Sequence, residues 1–90
     1  MGDISMLVKI DKNQVAGSLQ AVEEKLDGAG ELILDFAAVQ RIDSNAVRVM
    51  EVLGRRADEK GIKVVLSGVN VDVYKVLKLV KLDSRFSFVA

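Results

Sequence analysis

Four short apolar blocks alternate with three stretches whose apolar residues recur at intervals of three and four, and this alternation limits the chain to a layered α/β arrangement. The blocks are Met6-Leu7-Val8-Lys9-Ile10, Leu32-Ile33-Leu34-Asp35-Phe36, Ile62-Lys63-Val64-Val65-Leu66-Ser67 and Phe86-Ser87-Phe88-Val89. The second is nearly continuous in its hydrophobicity, the pattern of a strand covered on both faces, and such strands are usually parallel. Between the blocks, Val15, Leu19, Val22 and Leu26 share one helical face, with Gln20, Glu23, Glu24 and Asp27 mostly opposite. Asp11-Lys12-Asn13 supplies a turn and an N-cap for this helix, and Gly28-Ala29-Gly30 ends it.

A second helix is predicted from about Ser44 to Lys60. Val47, Met50, Gly54 and Ala57 lie on one face with Ala46, Val49 and Leu53 beside them, and Gly61 closes it. On its other face, the spacings Arg48 to Glu51 and Glu51 to Arg55 predict weak ion pairs. A third helix, over Val71 to Lys81, is rich in valine but puts Val73, Leu77 and Val80 on one face, with Val76 beside them. Asn70 caps it, Asp72 lies in its first turn, and Lys75, Lys78 and Lys81 run toward its C-terminal end, where cations complement the helix dipole. Asp83-Ser84-Arg85 turns the chain into the last strand. The order β-α-β-α-β-α-β predicts a small open sheet with right-handed crossovers and helices packed on it.

A chain of 90 residues, 50% hydrophobic and 29% charged with no proline, fits one compact domain over residues 1–90. It has no histidine and no cysteine. Imidazole bases, thiolate nucleophiles, disulfides and thiolate or imidazole zinc sites are therefore excluded. No metal or cofactor site is expected. An acidic metal site using Asp35 and Asp43, as in a nucleotide hydrolase, lacks the further positioned groups that hydrolysis needs. Gly28-Ala29-Gly30 is no phosphate loop, because it follows a helix and no Gly-Lys-Ser or Gly-Lys-Thr comes after it. Met1-Gly2-Asp3-Ile4-Ser5-Met6 lacks signal-peptide blocks and the myristoylation pattern, no apolar run reaches the length of a bilayer span, and a cytoplasmic location is expected.

Thirteen basic and thirteen acidic residues cancel overall but not locally: residues 1–45 carry a net −4 and residues 46–90 a net +4. No protein-wide field for nucleic acid or anionic lipid exists, and the dipolar distribution suits charge-guided protein contacts. Lys75, Lys78 and Lys81 with Tyr74 read as a solvated face. In open α/β sheets, sites lie beyond the carboxyl ends of the strands, which nominates Asp43-Ser44-Asn45 at the end of the loop after the second strand. All three are good N-caps. A serine at a helix start also faces free backbone N–H groups and the positive end of the dipole, where an added phosphate is tolerated. Asp35, at a strand end, is expected to bond loop N–H groups.

The stretch from Leu34 through Asp35-Phe36 to Arg41-Ile42-Asp43-Ser44-Asn45-Ala46-Val47 resembles the central signature of STAS domains, the sulfate-transporter and anti-sigma-factor-antagonist family. The resemblance continues through Lys63-Val64-Val65-Leu66-Ser67-Gly68 and Val76-Leu77-Lys78-Leu79-Val80-Lys81-Leu82-Asp83, covering roughly residues 31 to 88. It implies a STAS-like fold, no enzymatic activity, and a role in protein–protein interaction. It further implies partner switching through phosphorylation of Ser44 by a serine protein kinase that doubles as anti-sigma factor. Position by position the resemblance transfers to Ser44, with Asp43 as its acidic neighbour. Asn45, Val47, Arg48 and Glu51 stand beside them and complete the expected partner-binding set, with a solvated charged face as the alternative reading of Arg48 and Glu51. Neither nucleic-acid binding nor membrane insertion is expected. Where the family often continues Ser-Gly, this chain has Asn45 and Ala46, and its portion before residue 31 is shorter than in the usual antagonist. The second implied role is that of a non-switching subunit bound to the ATPase of a lipid-transport ABC complex.

Overall fold

A computed structural model of the chain describes residues 5–27 and 30–89. The N-terminal tetrapeptide and the Gly28-Ala29 portion of the first helix's expected glycine stop lie outside the described residues. The order is β1 (Ser5–Lys9), α1 (Val15–Glu23), β2 (Glu31–Asp35), α2 (Ser44–Glu59), β3 (Lys63–Ser67), α3 (Val71–Leu79), a 3-10 turn (Asp83–Arg85) and β4 (Ser87–Val89). All neighbours pair in parallel, in the spatial order β1-β2-β3-β4. Each strand thus lies beside the one before it, and right-handed crossovers carry every helix to the same face. This is the predicted β-α-β-α-β-α-β sheet.

The core lies between that face and the helices. Leu32, Leu34, Val64 and Leu66 of the central strands join Leu19 and Val22 of α1, Met50 and Leu53 of α2, and Val73 and Leu77 of α3. Gly54 of α2 is packed so tightly that a Cβ there would meet the Phe86 ring at 3.3 Å. The expectation that β2 is covered on both faces is not met: its burial alternates, with Leu32 and Leu34 buried and Ile33 only half-buried. The near-continuous apolar run reflects an apolar residue on the second face, not a second covering layer.

Helix ends differ from expectation where backbone hydrogen bonding overrides side-chain pattern. Asn13 does not cap α1. Asp11 Oδ1 accepts from the Asn13 N–H at 2.9 Å, holding Asn13 in a turn. The cap position falls to Gln14, whose side chain makes no capping bond. Helix α1 stops at Glu23, although Leu26 beyond it remains buried. Helices α2 and α3 both finish in a Schellman motif. The Ile62 N–H reaches Ala57 O and the Leu82 N–H reaches Leu77 O, each at 2.8 Å, and both incoming side chains are buried. The left-handed residue is Gly61 (φ 71°) in one and Lys81 (φ 64°) in the other. Lys81 therefore lies past the helix, and Val80, expected on the inner face, is 41% exposed.

The ion pairs also run differently from the sequence expectation. Arg48, Glu51 and Arg55 join no ion pair among the described residues. Instead Arg56 reaches Glu23 of α1 at 2.9 Å and Lys60 reaches Asp27 at 2.6 Å, tying the end of α2 to the end of the α1 segment. The hydrogen bond and charge of Lys60 hold the Asp27 carboxyl below the usual aspartate range. A depressed carboxyl stabilises the folded state above its unfolded pKa, and that contribution disappears as pH falls through the folded value. Lys60→Met is expected to return the Asp27 titration, followed by carboxyl NMR, to an ordinary aspartate midpoint and to abolish this part of the acid dependence. Lys81→Gly is expected to raise stability in thermal or urea unfolding by about 0.5–1 kcal/mol, because glycine occupies the left-handed cap without a Cβ penalty.

Candidate functional site

The parallel order places the loops that lead into α1, α2 and α3 along one edge of the sheet. The middle loop, from Phe36 to Asp43, is pinned along its length. Phe36 is buried and donates its N–H to Ser67 O at 2.8 Å, Val39 is buried, and Ile42 packs against the core. Asp35 Oδ1 accepts from the Ala37 N–H at 2.9 Å, as expected for a strand-end carboxylate. Asn70 does more than cap α3. Its Oδ1 accepts from the Val73 N–H at 2.7 Å, while its Nδ2 donates to Gln40 O at 3.0 Å and to Val39 O at 3.4 Å. The adjoining turn at Gly68 (φ 69°) lies so close to this loop that a Cβ would stand 3.0 Å from the Ala37 backbone.

This support fixes the start of α2. Asp43 is extended (φ −102°, ψ −178°) and is the N-cap: its Oδ1 accepts from the Ala46 N–H at 2.8 Å, and its carbonyl accepts from the Val47 N–H. Of the three capping candidates, Asp43 holds the role. Ser44 occupies the first helical position, exposed, and its hydroxyl makes no hydrogen bond among the described residues. Asn45 beside it is exposed. Arg48 and Glu51 continue from Ser44 at helical spacings of four and three, giving one solvent-facing stripe with free charges. Val47 is half-buried against the core, so it offers a partner only part of its surface.

Two cations that sequence reasoning did not assign to the site meet it in space. Lys12 and Asn13, from the turn before α1, line a groove with Arg41, Ile42 and Asp43. Nothing near Lys12 in the chain marks it. The signal was topological, since parallel βαβ units bring successive helix starts to the same edge. Among the described residues no group of three or more acidic side chains is placed to hold a metal, and Asp35 and Asp43 each bind a backbone N–H of their own segment.

The family model of the STAS domain matches residues 5–90. The chain belongs to the STAS family. Solved structures agree on the fold. A sulfate transporter family protein from Wolinella succinogenes superposes with a TM-score of 0.76 at 21% identity, covering 93% of this chain and 75% of that one. A proposed anti-sigma factor antagonist from Thermotoga maritima gives 0.72 at 21% identity, over 98% and 74%. An NMR structure of the same Thermotoga protein gives 0.79 at 19% identity, over 99% and 76%. None of the curated proteins matches the chain. STAS domains are typically non-catalytic protein-interaction modules, and among the described residues no helix of this one is long and apolar enough to cross a membrane.

The two neighbouring hydroxyl and carboxyl groups at the start of α2 are separable by mutation. Asp43→Ala is expected to lower unfolding stability by about 1 kcal/mol through loss of the cap, whereas Ser44→Ala leaves it within about 0.5 kcal/mol, as measured by urea denaturation.

Proposed function

We propose that this STAS domain is a cytoplasmic interaction module of the anti-sigma-factor-antagonist type, not an enzyme, and that phosphorylation of Ser44 switches its partner. The observation that carries the reading is the division of labour at the start of α2. Asp43 satisfies the cap, so the adjacent hydroxyl is exposed and chemically uncommitted. A serine needed for capping would lose helix stability on modification; this one would not. Phosphorylation adds about −1.5 to −2 charges at the first helical position, beside Asp43. At about 6 Å from a partner carboxylate and an effective dielectric of about 20, each added charge opposes binding by roughly 2.8 kcal/mol, or about a hundredfold. The unmodified face of Asp43, Ser44, Asn45, Val47, Arg48 and Glu51 would bind a serine kinase that doubles as anti-sigma factor, and the phosphorylated face would release it.

A second reading is favoured by the likeness to the Wolinella sulfate transporter family protein. There the α2 face would hold a transporter component constitutively, as in a STAS subunit bound to the ATPase of a lipid-transport complex, with Ser44 unmodified.

Affinity capture of the tagged protein from its native cells with phosphatases inhibited, followed by mass spectrometry of partners and of residue 44, separates the two. Partner switching predicts a serine kinase, a phosphorylated Ser44 pool, and partner binding weakened at least about tenfold by Ser44→Asp but retained by Ser44→Ala. Recovery of a transporter ATPase with Ser44 always unmodified would sink the switching mechanism and establish the second reading.

A further inference from the structure

The face of the sheet turned away from the helices carries an ordered pattern. Strand register sets out three rows across β1, β2 and β3: Ser5, Glu31 and Lys63 at the amino edge, Leu7, Ile33 and Val65 in the middle, and Lys9, Asp35 and Ser67 at the carboxyl edge. The middle row is apolar and lies outside the cluster that packs against the helices: Leu7 is 71% exposed and Ile33 half-buried, while Val65, in the middle of the sheet, is 6% exposed. All-parallel sheets are ordinarily covered on both sides.

We propose that this face pairs with the same face of a second copy of the chain, about a two-fold axis that runs parallel to the strands between β2 and β3. That axis sets β2 of one copy over β3 of the other. Ile33 then faces Val65 of the partner subunit, and Glu31 faces Lys63 of the partner subunit, twice per dimer by symmetry. The alternatives are electrostatically worse. An axis along β2 sets Glu31 against its own counterpart and does the same to Asp35. An axis along β3 opposes the two Lys63 ammonium groups, and an axis across the strands sets Glu31 against Asp35 of the partner subunit. Packed sheets lie about 10 Å apart, a gap that glutamate and lysine span together. Neither Glu31 nor Lys63 has an ion-pair partner within the chain among the described residues; Glu31 accepts only a hydroxyl hydrogen bond from Ser5, at 3.0 Å.

Three strands of five residues and one of three present a face of roughly 300 Å², well short of the roughly 800 Å² per partner of a standard stable interface. The dimer is therefore weak, reversible and sensitive to salt. It leaves α2 and Ser44 outside the interface, so it is independent of the partner-switching reading.

Sedimentation equilibrium of the full chain at low salt, from roughly 10 μM to roughly 1 mM, tests the pairing over the range where a weak interface is populated. The wild-type chain is expected to dimerise. Glu31→Lys alone and Lys63→Glu alone each weaken the dimer by at least about tenfold, since each sets like charges face to face. An equal mixture of the two variants restores it, because each copy then meets its complement across the axis while the reversed contacts within each chain remain. Ile33→Thr, which keeps a β-branched residue in the strand, also weakens it, and Ser44→Asp leaves it unchanged. A wild-type chain monomeric throughout, or a mixture no stronger than its components, would overturn the proposal. So would a dimer indifferent to the charge reversals or to Ile33→Thr. Circular dichroism of each variant confirms that loss of dimer is not loss of fold.

Discussion

The handedness of the crossovers governs this molecule more than any single contact. When each parallel strand lies beside its predecessor and every connection turns the same way, three helices must settle on one side of the sheet and begin at one edge. One consequence is a thin core in which α1, α2 and α3 share a single apolar layer with alternate residues of the strands. Another is that turns far apart in the chain become neighbours, so Lys12 and Asp43 come to line one groove.

On that platform the edge at the start of α2 is built by hydrogen bonds that remove backbone freedom and leave side chains free. Phe36, Val39 and Ile42 anchor the loop after β2 in the core, and Asp43 closes it onto α2. The stripe beginning at Ser44 is rigid underneath and uncommitted on top, which is what a docking surface regulated by charge requires. The ion pairs of α2 lie at its far end, on Arg56 and Lys60, so Arg48 and Glu51 keep their charges for solvent or for a partner.

Much of this was legible in the residues. Hydrophobic periods of two and near 3.6 located all the strands and helices, and the Asp43-Ser44 pair before an amphipathic helix located the edge. The failures have physical causes. Periodicity reports which side chains are apolar but not what covers them, so β2 read as buried on both faces when only one is packed. Asn13 has the chemistry of a cap, but the turn that Asp11 closes runs on to Gln14, which takes the cap position instead. Side-chain spacing on α2 allowed ion pairs along the helix, yet the packed α1 segment offered Arg56 and Lys60 partners across the interface. Lys81 took a conformation usually left to glycine because the Leu82 side chain beyond it had to enter the core.

Asn70 has a consequence for motion. One side-chain amide holds the first turn of α3 through Val73 and the middle of the preceding loop through Val39 and Gln40. Neither segment can open fully without releasing the other from that amide, so the two behave as one unit of local unfolding, with linked protection of their amide protons against exchange. The loop that presents Ser44 therefore inherits part of its rigidity from a helix that follows it in the chain by nearly the length of α2 and β3.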